Sequence, residues 1–150
     1  MGVVMFYHLT HSDLNETART LLARSQKAGW RVMLRGVNPN RLKDLDRFLW
    51  QGPDDDFFPH GLEGGPHDTA QPILLGRGAI TNGAQALMTI EGAVIDPAET
   101  THLERVFVLF DGRDEAAVAA ARTQWKEITA AGLTAQYWSE ASGQWEKKAG

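Results

Sequence analysis

Apolar residues run unbroken at two places in the chain, VVMFYHL at 3–9 and RVFVLF at the start of the stretch 105–112. A run without polar alternation, rich in β-branched and aromatic residues, predicts a strand covered on both faces, as in a parallel sheet. Between these runs the period changes. Asp13 and Glu16 form a start resembling a capping box, and Leu14, Ala18, Leu21 and Leu22 then recur on one helical face as far as Gly29. WRVMLRG at 30–36 predicts a second strand. Asn38 and Pro39 supply an N-cap and a first-turn residue for a helix that turns Leu42, Leu45 and Leu49 inward and stops near Gly52. PILLG at 72–76 and AQALMTIEG at 84–92 predict two further strands. Asp114 and Glu115 open a last helix with negative charge where the helix dipole favours it. Alternation of strands and helices predicts an α/β class: a single Rossmann-like domain over 1–150, with a mostly parallel sheet flanked by helices.

Residues 52–72 break the pattern. They hold four of the six prolines and four glycines, which predicts one long loop, and loops of that length are often functional. The C-terminal segment 134–150 carries strand-like pieces around a Ser-Gly turn and is expected to fray at its end. Apolar residues make up 43% of the chain and charged residues 23%, within the range of a folded globular protein. The formal net charge of -4 argues against direct binding of nucleic acid. The absence of cysteine removes disulfides, zinc–thiolate sites and thiol nucleophiles. The apolar N-terminal run is too short for a membrane span and lacks the basic flank of a signal peptide, so the expected location is cytoplasmic.

The last helix raises the sharpest question. Val118, Ala121, Trp125 and Ile128 share one stripe, and Arg122 and Lys126 stand side by side on its flank. Two cations four residues apart do not help a helix. A partly buried Trp with two solvated charges would account for them. So would a site for a short acidic peptide, with Arg122 as a carboxylate fork, Lys126 as a point charge and Trp125 as an apolar floor. On the second helix Trp50 points away from the leucine stripe, and Phe57 and Phe58 follow it. These three rings either cover a sheet edge or form an exposed patch of the kind that marks a protein interface.

For an enzyme the sequence offers less. His8, His11, His60 and His67 lack the helical i, i+4 spacing of a hydrolase zinc site, and neither a metal nor a cofactor is expected. The Gly-rich stretch 76–85 matches no phosphate-loop pattern, and Asn82-Gly83 reads as a hairpin turn. The alternative to a binding module is a small Rossmann-like nucleotide- or metal-binding enzyme using His8, His60 and the Gly-rich turn 76–83.

Six stretches together, FYHLT, LDRFLW followed by FFPHG, PILL, RVFVLFDG, AARTQWKEI and the terminal YW…GQWEKK, resemble the chi subunit of bacterial DNA polymerase III. The resemblance implies a Rossmann-like connector in the clamp-loader assembly with no catalytic activity of its own. It implies that Arg122, Trp125 and Lys126, with Val118 beside them, receive the acidic, Phe-ended C-terminal tail of single-stranded-DNA-binding protein. It also implies that Trp50 and Phe57, with Phe58, meet the psi subunit, or a helicase-like or clamp-loader partner in its place. The loop after PHG (62–70) does not contribute to the resemblance.

Overall fold

The computed structural model describes residues 2–51 and 59–150 of the chain. In chain order the elements are β1 (Val3–Leu9), α1 (Leu14–Lys27), β2 (Val32–Arg35), α2 (Pro39–Trp50), β3 (His60–Leu62), β4 (Ile73–Gly76), β5 (Ala86–Thr89), β6 (Arg105–Asp111), α3 (Glu115–Ala130), β7 (Thr134–Ser139) and β8 (Glu146–Ala149). Short 3-10 turns lie at Asp68–Ala70 and Pro97–His102. Among the described residues eight strands form one sheet in the order β3-β4-β2-β5-β6-β1-β7-β8. Every pairing is parallel except that of β7 with β8. The class is α/β, a Rossmann-like sheet flanked by helices.

The unbroken apolar runs have the expected cause. Along β1, Val4 and Phe6 face α3, whereas Tyr7 and Leu9 face α1 and α2. Along β6, Val106, Val108 and Phe110 face α3, and Phe107 and Leu109 the other side. Leu21 and Leu22 of α1 and Leu42, Leu45 and Leu49 of α2 close one core; Ala121 and Ile128 of α3 close the second. Full burial of each such leucine or isoleucine is worth about 1.5–3 kcal/mol.

The helix starts follow the sequence signals. The side chains of Asp13, Asn38 and Asp114 accept from the backbone N–H groups of Glu16, Asn40 and Ala116. Each satisfies a donor that a helix N-terminus leaves open.

Three expectations change. Within 52–72, His60–Leu62 pair in parallel with β4 as an edge strand, because a neighbouring strand with free backbone groups outweighs the local Pro/Gly composition. Asn82-Gly83 is not a hairpin turn: β4 and β5 run parallel on either side of β2. Gly83 has φ +67 as such a turn would need, but the Asn82 side chain is buried and donates to the carbonyls of Val32 and Gln71. The two strand-like pieces of the C-terminal segment do pair, as β7 with β8. The end expected to fray, however, is the strand β8 itself, which closes the sheet edge with four exposed residues, Glu146, Lys147, Lys148 and Ala149. Charge on an edge strand discourages pairing with further chains.

Candidate docking site

Helix α3 begins where β6 ends and runs back across the sheet over β1 and β7. Its alanines let the backbone lie close, with Ala121 and Ile128 fully inward. Trp125 is half-buried at the flank. Its ring meets Phe6 edge-on at 5.4 Å and Tyr137 edge-on at 5.9 Å, and Phe6 and Tyr137 stack at 6.5 Å. Edge-to-face contacts of this kind add about 0.5–1.5 kcal/mol each beyond the area they bury. The three rings come together because Phe6 and Tyr137 are register partners in the β1–β7 pair and so point to the same face.

Val118 is half-buried one turn before Arg122, and Arg122 and Lys126 are exposed. Among the described residues neither cation has a carboxylate within ion-pair distance. The geometry is an apolar, ring-lined floor with two unpaired cations on its rim. It suits a ligand that offers an apolar group next to carboxylates, with the charge-assisted contact at Arg122 the stronger one.

Two residues that sequence reasoning did not assign to this place complete it. Tyr137, on β7, is the second ring partner of Trp125. His8 comes up beside it: His8 Nδ1 lies 2.7 Å from the Tyr137 hydroxyl, and the imidazole packs on Phe110 at 5.0 Å. Burial, then the charge of Arg122, push His8 below its ordinary pKa, and the backbone of Gly112 acts the other way. Burial pushes the Tyr137 phenol up, with Arg122 pulling it down. A Cβ on Gly112 would collide with the His8 ring, so glycine there is what admits the imidazole. Strand alternation in TAQYWS puts Tyr137 and Trp138 on opposite faces, but only the β1–β7 pairing shows which face is that of α3.

The second patch lies at the far edge of the sheet. Trp50 is 54% exposed, and its ring lies 4.2 Å from that of His60. His60 is buried, and its Nε2 lies 3.1 Å from the Asp46 carbonyl and 3.2 Å from the Asp46 carboxylate. Phe57 and Phe58 lie outside the described residues. Five strands separate β3 from β7, so the patch and the α3 site stand roughly 29 Å apart at the usual strand spacing.

The residues of the enzyme alternative do not converge. His8 faces α3 on β1, while His60 sits on β3 with four strands between them. The Gly-rich turn is already occupied by the chain itself. The Glu63 carboxylate accepts from the N–H groups of Arg77 and Gly78 at 2.6 and 3.3 Å, and a Cβ on Gly76 would collide with it. The loop after β1 is filled in the same way. Glu140 accepts from the N–H groups of Thr10, His11 and Ser12 at 3.0, 3.1 and 2.8 Å, and from the Ser12 hydroxyl at 2.6 Å. Burial pushes the Glu140 carboxyl up, but the bonds from Ser12, His11 and Thr10 outweigh it and hold the group below the usual carboxylate range. Loops at the carboxyl ends of parallel strands are where such sheets take a phosphate, and in this chain both concavities hold an internal carboxylate.

No helix among the described residues is long and apolar enough to cross a membrane. A comparison with curated proteins finds no match. The family model described as DNA polymerase III chi subunit, HolC, matches residues 1–136. With the match running from β1 through α3, the protein belongs to the DNA polymerase III chi subunit family.

Proposed function

We propose that the protein is a non-catalytic adaptor that joins the replicase to protein-coated single-stranded DNA. Membership of the chi family gives it an accessory role in DNA replication. On this reading α3 takes the acidic C-terminal tail of single-stranded-DNA-binding protein. The tail's terminal Phe rests against Trp125 and Val118, its carboxylates meet Arg122 and Lys126, and no cofactor takes part. The Trp50 surface takes psi, or another clamp-loader or helicase partner, and the adaptor works in the cytoplasm.

One observation carries the reading. Arg122 and Lys126 have no carboxylate partner among the described residues although the chain is net acidic, and they border a half-buried Trp–Tyr edge. The test is a fluorescence-anisotropy titration with a labelled peptide ending in an acidic run, Pro-Phe and a free carboxylate. Saturable binding that weakens with added salt is expected, because exposed charges are screened. No binding by the wild-type protein at low salt would remove α3 as a tail site. For the Trp50 surface, Trp50→Ala is expected to release the psi or clamp-loader partner from a reconstituted mixture. Retention of every partner would count against that surface.

A further inference from the structure

The His8–Tyr137 pair lies beside Arg122 but does no work in the docking scheme above. Its hydrogen bonds can be oriented. The Gly112 N–H is already donated to the Leu9 carbonyl at 2.7 Å. Nε2 is the ring nitrogen on the Gly112 side, where a Cβ would collide with it, and that N–H is not free to donate to it. Nδ1 faces the Tyr137 hydroxyl at 2.7 Å, and a phenolic O–H is a stronger donor than the N–H of a neutral imidazole. We therefore assign the proton of neutral His8 to Nε2, with Nδ1 accepting from the phenolic O–H.

We infer that His8 is a specificity-determining residue of the α3 site, which takes up a proton when an acidic ligand binds and thereby turns the Tyr137 O–H outward to donate to a ligand carboxylate. This rests on the docking role proposed for α3. A proton from solvent adds to Nδ1, the new Nδ1–H donates to the phenol oxygen, and the phenolic O–H, still intact, is released from the imidazole. The site gains a hydrogen-bond donor and a positive charge together.

The surroundings of His8 fit this coupling. Arg122 is the charged group that acts on it from α3; β7 contributes Tyr137, the turn after β6 contributes Gly112, and β6 the uncharged Phe110 ring. Without ligand, Arg122 opposes protonation. Ligand carboxylates at Arg122 offset that charge and add an acceptor for the freed O–H, so binding and protonation favour each other, and by linkage each strengthens the other equally.

The test is the peptide titration at constant ionic strength between about pH 8 and about pH 6, the range in which histidine changes charge and peptide carboxylates do not. Wild type is expected to bind roughly five- to tenfold more tightly at the acid end. His8→Gln is expected to give a flat profile, which would also exclude His11, His60, His67 and His102 as the source. Tyr137→Phe is expected to lose most of the gain while still binding. An undiminished pH slope in His8→Gln would overturn the inference and leave the docking role standing; absence of wild-type binding at every pH would overturn both. A ligand-free readout separates the two further. The His8 ring-proton NMR titration is expected to move to higher pH in Arg122→Ala, and a midpoint that stays in place would remove the coupling.

Discussion

The carboxyl edge of the sheet and the outer flank of α3 both attract anions, and they treat them in opposite ways. At the sheet edge the two loop concavities and the buried Arg35 are satisfied by the chain itself. Glu140 fills the loop after β1, Glu63 fills the turn after β4, and Arg35 is held by Glu99 through bonds of 2.7 and 3.1 Å and by the carbonyls of Gly78 and Val94. On α3 the cations carry no such partner among the described residues. A charge that is fully partnered inside the fold contributes to its stability and specificity; an unpartnered charge at an apolar rim is available to something outside. Two arginines in one small protein therefore separate cleanly in what their removal should do.

The largest effect belongs to Arg35. It is 7% exposed and ties β2 to two loops, and removing it leaves the half-buried Glu99 carboxylate and two carbonyls without their donor. Arg35→Ala is expected to cost about 3–5 kcal/mol of unfolding free energy. Chemical denaturation measures this. Peptide affinity of the folded fraction should be unchanged, and a loss of affinity without a loss of stability would invert the assignment.

Arg122→Ala should do the reverse. Loss of a hydrogen bond to a charged group costs about 1.5–3 kcal/mol of peptide binding, and the denaturation midpoint should stay close to wild type because the side chain is exposed. Trp125→Ala separates less well, since its ring also packs on Phe6 and Tyr137.

Glu140→Gln tests whether the filled loop stabilises the fold. The amide can accept with one oxygen only, and buried donors left unmet cost about 1–3 kcal/mol. The pH dependence has a definite sign. The folded-state pKa of Glu140 lies below its unfolded value, so the carboxylate contributes stability above the unfolded pKa and loses it as pH falls through the folded one. Wild type should lose more stability on acidification than Glu140→Gln, and parallel curves would show that the loop does not depend on the charge.

How far the sequence reached follows the same division. The continuous runs of β1 and β6 and the capped starts of α1, α2 and α3 were legible because their causes are local: burial on both faces, and side chains that cap their own helices. The stripe of α3 was legible for the same reason, since Val118, Trp125, Arg122 and Lys126 are placed by helical spacing alone. β3 was not, because its three residues become a strand only by pairing with β4. Asn82 misled for a related reason. Its local turn chemistry was correct, but β2 lies between the two strands it seemed to join. Tyr137 and His8 stayed hidden until β1 and β7 were known to be neighbours, and Glu63 and Glu140 give no sign in sequence of the backbone donors they meet.

The smallest effect sharpens the contrast between fork and point charge within α3 itself. Lys126 is exposed and compact in charge, and an exposed pair of this kind contributes about 0.2–1 kcal/mol. Lys126→Ala should therefore weaken the peptide less than Arg122→Ala does, and its effect should fade as salt rises towards physiological strength, where the screening length is about 8 Å. Arg122 should keep more of its contribution, because a bidentate guanidinium contact is geometric as well as electrostatic. Lys126→Arg should then match or exceed wild type. If Lys126→Ala and Arg122→Ala weaken binding equally at every salt concentration, the two residues act only as a diffuse positive patch, and the ligand is held by charge alone without a seated carboxylate.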